Sequence, residues 1–335
     1  MTENSAEAIP YDRIAIIGGG AWGTALAFVA AQAGRPVTLW ARESGVVDSI
    51  NQRHQNEIFL PGIALPKSIR ATQNLADAAR TQALLIVVPA QHLRAVLTDL
   101  APSDGTPVML CAKGIERGSA MLLTEILSET IPGAAPAILS GPSFAHDVAV
   151  GLPTAVTIAA RLPIARALQA TLAHAQFRPY VSDDVTGVAL GGAAKNVYAI
   201  ACGVADGLGL GESARAALLT RSFAELTRLG EALGARAETL MGLSGLGDLV
   251  LTASSPSSRN FAFGRQLGRG TTLATLRSPG TPLAEGVETA PALVARAHRH
   301  GVELPIAETV AAILDGVLTP AAALERLMRR PLGPE

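Results

Sequence analysis

RIAIIGGGAWGTALA, running from Arg13 to Ala27, is the stretch that decides the fold. Its first five residues form a short Ile-rich run that stops at Gly18, the pattern of a buried strand. From Ala21 the chain reads as a helix through Ala33, and Gly34 stands where that helix would end. Between strand and helix lies GxGxxG at Gly18, Gly20 and Gly23. Gly18 permits a tight turn off the strand, Gly20 lets the backbone approach a pyrophosphate, and Gly23 lets the helix pack close. The helix N-terminus then offers unpaired N–H groups to phosphate oxygens. A bare GxGxxG is weak, but a strand before it and a helix after it make it a dinucleotide-binding signature.

Working outward, Pro36–Trp40 reads as a second strand. Further short apolar runs follow at Leu84–Val88, Val108–Ala112, Ala137–Leu139 and Thr154–Ala159. Helix-like stretches such as Ala90–Leu100 and Met121–Glu129 separate several of them. Alternating strands and helices predict an α/β fold, a Rossmann-type doubly wound and mostly parallel sheet. The texture changes near Asp183. Beyond it, Ser213–Leu233, Thr289–His300 and Ala307–Gly316 show helical spacing and strand candidates are few. The expectation is a dinucleotide-binding domain over residues 1–184 and an all-α substrate and catalytic domain over 185–335. Val185–Ala205, opening the second domain, is nearly all apolar or Gly but carries Lys195 and Asn196 at its middle. A central Lys costs ~2.5–3.5 kcal/mol on membrane-insertion scales, so the segment is read as a buried helix and no membrane insertion is expected.

Composition limits the partners. Lys and Arg total 27 against 28 Asp and Glu, so the chain has no net field to draw it onto nucleic acid, and none is expected as a partner. Selectivity for an anion has to come from a local site. Two cysteines, Cys111 and Cys202, lie in apolar runs outside any CxxC pair, which suits a reducing compartment and disfavours zinc. The opening MTENSAEAIP has neither a basic n-region nor an apolar h-region, so a cytoplasmic location is expected. The six histidines form no ligand spacing, and no metal is expected.

The end of the second strand reads Trp40-Ala41-Arg42-Glu43. Arg42 suits a 2′-phosphate and Glu43 could still accept from a ribose hydroxyl, so NADP(H) is favoured and NAD(H) remains possible. Lys195 sits among Gly and Ala in GGAAKNV, and Asp248 is equally isolated in GLGDLV. Two lone opposite charges in apolar settings could satisfy each other as a structural ion pair or form an acid/base site. Lys113 follows a predicted strand, as does Ser140-Gly141-Pro142-Ser143, and ligands in open parallel sheets bind beyond the carboxyl ends of strands. Ser257-Ser258-Arg259-Asn260 gathers hydroxyls, a guanidinium and an amide that suit a phosphate, although such a loop also serves as a simple helix cap.

Jointly these segments closely resemble the bacterial NAD(P)-dependent glycerol-3-phosphate dehydrogenases. The stretches that carry the resemblance are GGGAWGTALA from Gly18, LPG from Leu60, VPA from Val88, AKGIE from Ala112, SGPSFA from Ser140 and GLPTA from Gly151. LGGAAKNVYAIACG from Leu190, GLGDLVLT from Gly245, SSRNFAFG from Ser257 and LAEGVET from Leu283 complete it. The resemblance implies Lys195 as proton donor and acceptor, Asp248 as its partner, and Lys113 in contact with substrate and cofactor. It implies that Gly141, Ser143, Ser258, Arg259 and Asn260 hold substrate. It sets Ala21, Trp22, Arg42, Ala145, Arg259, Leu283 and Glu285 against the cofactor. It further implies reduction of dihydroxyacetone phosphate to sn-glycerol 3-phosphate, a product that feeds glycerophospholipid synthesis, and a homodimer. Two rival readings fit the same sequence: a related dehydrogenase of another hydroxy or oxo acid, and a non-catalytic dinucleotide sensor. Fold alone does not exclude the first, but the SSRN and GLGD loops argue against it. A sensor would have no need of Lys195 with Asp248.

Overall fold

The computed structural model describes residues 8–281 and 284–331. Eight strands form one sheet: β1 (Ile14–Ile17), β2 (Val37–Trp40), β3 (Ile69–Thr72), β4 (Ala83–Ile86), β5 (Pro107–Leu110), β6 (Ala135–Ser140), β7 (Thr154–Ala159) and β8 (Phe177–Ser182). Their order is β3-β2-β1-β4-β5-β6-β7-β8, parallel throughout except where β6 meets β7. This is the doubly wound order, with the strand reversal beside β1 where such folds bind ligands. β1, β4 and β5 are buried at every position, as a strand covered on both faces must be.

Two strands carry no apolar run in the sequence. β3 reads IRAT and β8 reads FRPYVS; both are edge strands. An edge faces solvent on one side, so its residues alternate in polarity and lose the continuous apolar run that marks a central strand. β8 even carries Pro179, which an edge tolerates because one row of N–H groups needs no partner. The expected helix over Ala90–Leu100 is shorter and begins as a 3₁₀ turn, Ala90–His92, before the α-helix Leu93–Thr98.

The chain divides into two compact units: Met1–Ala112 with Leu123–Val188, and Lys113–Leu122 with Ala189–Glu335. The first contains the sheet. After β8 no strand occurs among the described residues, and the second unit is built on helix Val185–Gly207 from Ala189 onward and on helices Gly211–Ala232, Glu285–Arg299 and Pro305–Leu314. The first of these is 23 residues long, and its most apolar window has mean hydropathy 1.4 and is 100% buried within the protein. A core helix explains that apolarity. Its glycines serve close packing: a Cβ on Gly203 would collide with the Phe261 carbonyl, and one on Gly264 with the Ile200 carbonyl. Helix Arg259–Gly268 therefore packs backbone to backbone against it.

Candidate active site

The first unit holds the glycine turn. Gly18 has φ +128, and a Cβ there would sit 2.9 Å from the Val87 backbone. A Cβ on Gly23 would overlap the Gly18 carbonyl, so the helix cannot approach the strand with any larger residue. Gly20 is the N-cap of helix Ala21–Gln32, with no side chain capping it and open space where its Cβ would lie. The first turn thus presents free N–H groups to an uncrowded face, and an anion fits there. Trp22, in that turn, has a buried indole N–H with no partner among the described residues, a second sign of a polar group awaiting a ligand. Arg42, just past β2, is exposed and donates to Glu43 Oε1 from Nη2 at 2.9 Å and from Nε at 3.2 Å, a pair that solvent screens. Its carbonyl accepts from Gln73 Nε2 at 2.8 Å, which fixes the backbone from which the guanidinium extends.

The fixing of the turn itself involves a residue that sequence reasoning passed over. Asn56 is fully buried and donates to the Gly19 carbonyl at 2.8 Å and to Thr24 Oγ1 at 2.7 Å. No spacing rule flags it, because its partners lie more than thirty residues away. Elsewhere in this unit, Gly141 (φ +141) abuts the Val156 backbone, where a Cβ would meet Cα at 2.9 Å. Ser143 Oγ donates to the Gly141 carbonyl at 3.0 Å, and half-buried Ala145 opens helix Ala145–Ala149.

The second unit holds the charges. Asp248, 0% exposed, accepts from Lys195 Nζ on Oδ1 and from Lys113 Nζ on Oδ2, the latter at 2.6 Å. Lys195 also donates to Thr252 Oγ1 at 2.9 Å. One buried carboxylate thus bridges two ammonium groups, leaving the cluster one net positive charge in a nearly dry setting. Burial pushes Lys195 down to about 7 despite the pull of Asp248, and the neighbouring Lys113 charge adds to the lowering. For Asp248 burial acts to raise the carboxyl, but the two ammonium groups outweigh it and hold the group below its ordinary value. A lysine that titrates near neutrality can both give and take a proton. Thr252 stands four residues after Asp248 on one helix, Asp248–Ser254, and that spacing was the signal available for it.

Asn196 follows Lys195 and holds the loop: its Nδ2 donates to the Lys113 carbonyl at 3.0 Å. Asn260 Nδ2 donates to Asn196 Oδ1 at 2.8 Å and its Oδ1 accepts from Gly286 N at 2.9 Å. Ser258 caps helix Arg259–Gly268, accepting from Phe261 N at 3.3 Å. Arg259, the first residue of that helix, is exposed and makes no ion pair among the described residues. Half-buried Glu285 opens helix Glu285–Arg299; Leu283 lies outside the described residues.

Comparison with known proteins agrees over nearly the full length. Residues 13–164 match the family description NAD-dependent glycerol-3-phosphate dehydrogenase N-terminus, and residues 184–325 match its C-terminus counterpart. A glycerol-3-phosphate dehydrogenase [NAD(P)+] of Parvibaculum lavamentivorans is 57% identical over 98% of this chain and 99% of its own. One from Maricaulis maris is 54% identical over 96% and 97%. The crystal structure of a glycerol-3-phosphate dehydrogenase from Coxiella burnetii superposes with a TM-score of 0.90 at 38% identity, covering 96% of this chain and 99% of that one.

Proposed function

Since the chain belongs to the NAD-dependent glycerol-3-phosphate dehydrogenase family, we propose that it reduces dihydroxyacetone phosphate to sn-glycerol 3-phosphate, feeding glycerophospholipid synthesis. The bound dinucleotide supplies the hydride. The turn of Gly18, Gly20 and Gly23, with Ala21 and Trp22, would receive its pyrophosphate, and Lys113, Ala145, Arg259, Leu283 and Glu285 are read as further cofactor contacts. As hydride adds to the ketone carbon, negative charge develops on the carbonyl oxygen. Lys195, protonated, stabilises that oxygen and then transfers its proton, completing the secondary alcohol. Asp248 holds the ammonium in place through the transfer and keeps Lys195 from deprotonating too early. Lys113 supplies a second positive charge beside the same carboxylate. Ser258, Arg259 and Asn260 are read as the phosphate clamp, because Arg offers forked donors and the N-terminus of helix Arg259–Gly268 adds its N–H groups. Gly141 and Ser143 complete the substrate set.

The observation that carries this reading is the buried carboxylate bridging two lysines, one of them poised at about 7. A purely structural ion pair has no use for a second ammonium that lowers the first. Lys195→Met should bind NADPH as the parent does while kcat falls by ~10²-fold or more, the scale of lost acid catalysis. A folded variant with normal turnover would make the pair structural and refute the mechanism.

NADP(H) is the preferred coenzyme in this reading, with NAD(H) also accepted, because Arg42 stands exposed just past β2, where a 2′-phosphate would lie. The buried thiols of Cys111 and Cys202, neither in a disulfide, suit a reducing cytoplasm. A homodimer is the proposed assembly, to be checked by sedimentation.

A further inference from the structure

The segment Lys113–Leu122 follows β5, yet it groups with the helical unit. It closes on itself: Ile115 bridges antiparallel to Leu122, Glu116 N donates to the Met121 carbonyl at 3.0 Å, and Ala120 N donates to the Glu116 carbonyl at 3.0 Å. Ile115 and Leu122 are buried. Its tip is held from helix Glu285–Arg299. Arg296 Nη1 donates to the Ala120 carbonyl at 3.0 Å, Arg299 Nη1 donates to the Ser119 carbonyl at 2.6 Å, and Arg117 pairs with Glu288 Oε2 at 3.0 Å. Positions 288, 296 and 299 recur at eight and three residues, which aligns them along one stripe of the helix. Ala120 is one of two non-glycine residues with positive φ among the described residues, at 55°. A buried alanine keeps such a conformation only where its surroundings over-determine it, and the two guanidiniums bind on either side of that peptide.

Resting on the proposed function, we propose that Arg296 and Arg299 are positioning residues for Lys113. They fasten the tip of the loop to the helix, and the closed loop holds the Lys113 backbone where its ammonium meets Asp248. A lysine side chain has much rotamer freedom, so an unfastened backbone would leave its ammonium in solvent more often than on the carboxylate. The charged groups that act on Lys195 are Asp248 and Lys113. Withdrawing Lys113 removes a positive charge that lowers Lys195 and frees Asp248 to hold Lys195 alone. Both changes make the Lys195 proton harder to remove.

The test is Arg296→Ala/Arg299→Ala, with Arg299→Ala alone as the variant safest for folding because that side chain is exposed. kcat for dihydroxyacetone phosphate reduction should fall by about ten-fold, within the ~10²-fold that a 1 Å misplacement can cost. The alkaline limb of the kcat profile should move to higher pH, a displacement that general loss of folded enzyme would not produce. Lys at both positions should restore part of the rate, since an ammonium also donates to a carbonyl. In a Lys113→Met background the same two changes should add nothing. An additive loss in that background, or a lower kcat with an unmoved alkaline limb, would overturn the proposal and make the arginines ordinary supports. Either result would leave the assignment of Lys195 standing, because that assignment is tested separately by Lys195→Met.

Discussion

Asp248→Asn probes the cluster most directly, because it removes one charge and keeps the shape. Asp248 has no exposed surface and both of its oxygens are taken by ammonium groups. With Lys195 at about 7, half of the enzyme carries the Lys195 proton at a pH of about 7. Losing an adjacent opposite charge lowers a lysine by ~1–3 pH units, which reduces the protonated fraction from about one half to between ~0.1 and ~0.001. Reduction by NADPH at a pH of about 7 should therefore slow by ~5- to ~500-fold. Part of the ~3–5 kcal/mol usual for stripping one partner from a buried pair is avoided, because Lys195 can shed its proton and remain as a neutral amine. The variant should then fold, and circular dichroism with NADPH titration would check this. The assay follows NADPH absorbance with dihydroxyacetone phosphate across pH. Activity of the variant should recover as the pH falls, with the alkaline limb displaced toward acid. A variant whose alkaline limb coincides with that of the parent would refute the assignment of that limb to Lys195.

Three further outcomes follow from the same structure. Arg42→Ala should raise KM for NADPH far more than for NADH, and equal effects on both coenzymes would remove Arg42 from the 2′-phosphate. Arg259→Ala should weaken kcat/KM for dihydroxyacetone phosphate by roughly ten- to a hundred-fold, the scale of a lost charged hydrogen bond. Phosphate-free dihydroxyacetone should lose much less, and an equal loss for both substrates would reassign the residue. Glu225 is buried under the N-terminus of helix Pro305–Leu314, accepting from Ile306 N at 2.7 Å and Ala307 N at 3.3 Å. Burial raises its carboxyl to about 7 against the ordinary 4.5. The folded protein thus binds this proton more tightly than the unfolded chain. The resulting stability is fully present below pH 4.5 and is lost as the pH rises through about 7. At ~1.36 kcal/mol for each pH unit, this amounts to ~3 kcal/mol. Glu225→Gln should flatten that part of the pH dependence of urea unfolding, and an unchanged slope would exclude Glu225 as its source.

The sequence by itself determined the elements whose signals are local. β1, the glycine turn and helix Ala21–Gln32 were legible because a buried parallel strand is an unbroken apolar run and the turn demands glycine at fixed offsets. Helix Val185–Gly207 was legible as a core helix because a lysine and an asparagine interrupt an apolar run too costly to place in lipid. Lys195 and Asp248 were conspicuous as lone charges in apolar surroundings. Residue patterns alone leave open whether they meet, the family resemblance pairs them, and nothing in the sequence shows that Lys113 shares the same carboxylate, since these residues are separated by 53 and 135 positions. β3 and β8 were invisible because half of an edge strand faces water and needs no apolar run. Asn56 on the glycine turn, and Arg296 and Arg299 on the loop tip, have no sequence signature, and nothing in the sequence ties Asn196 to the Lys113 carbonyl. Each is a polar group whose meaning lies in partners distant in sequence. Hydrophobic burial and backbone propensity write periodic patterns into a chain, whereas a single long-range hydrogen bond leaves none until the fold brings its two ends together.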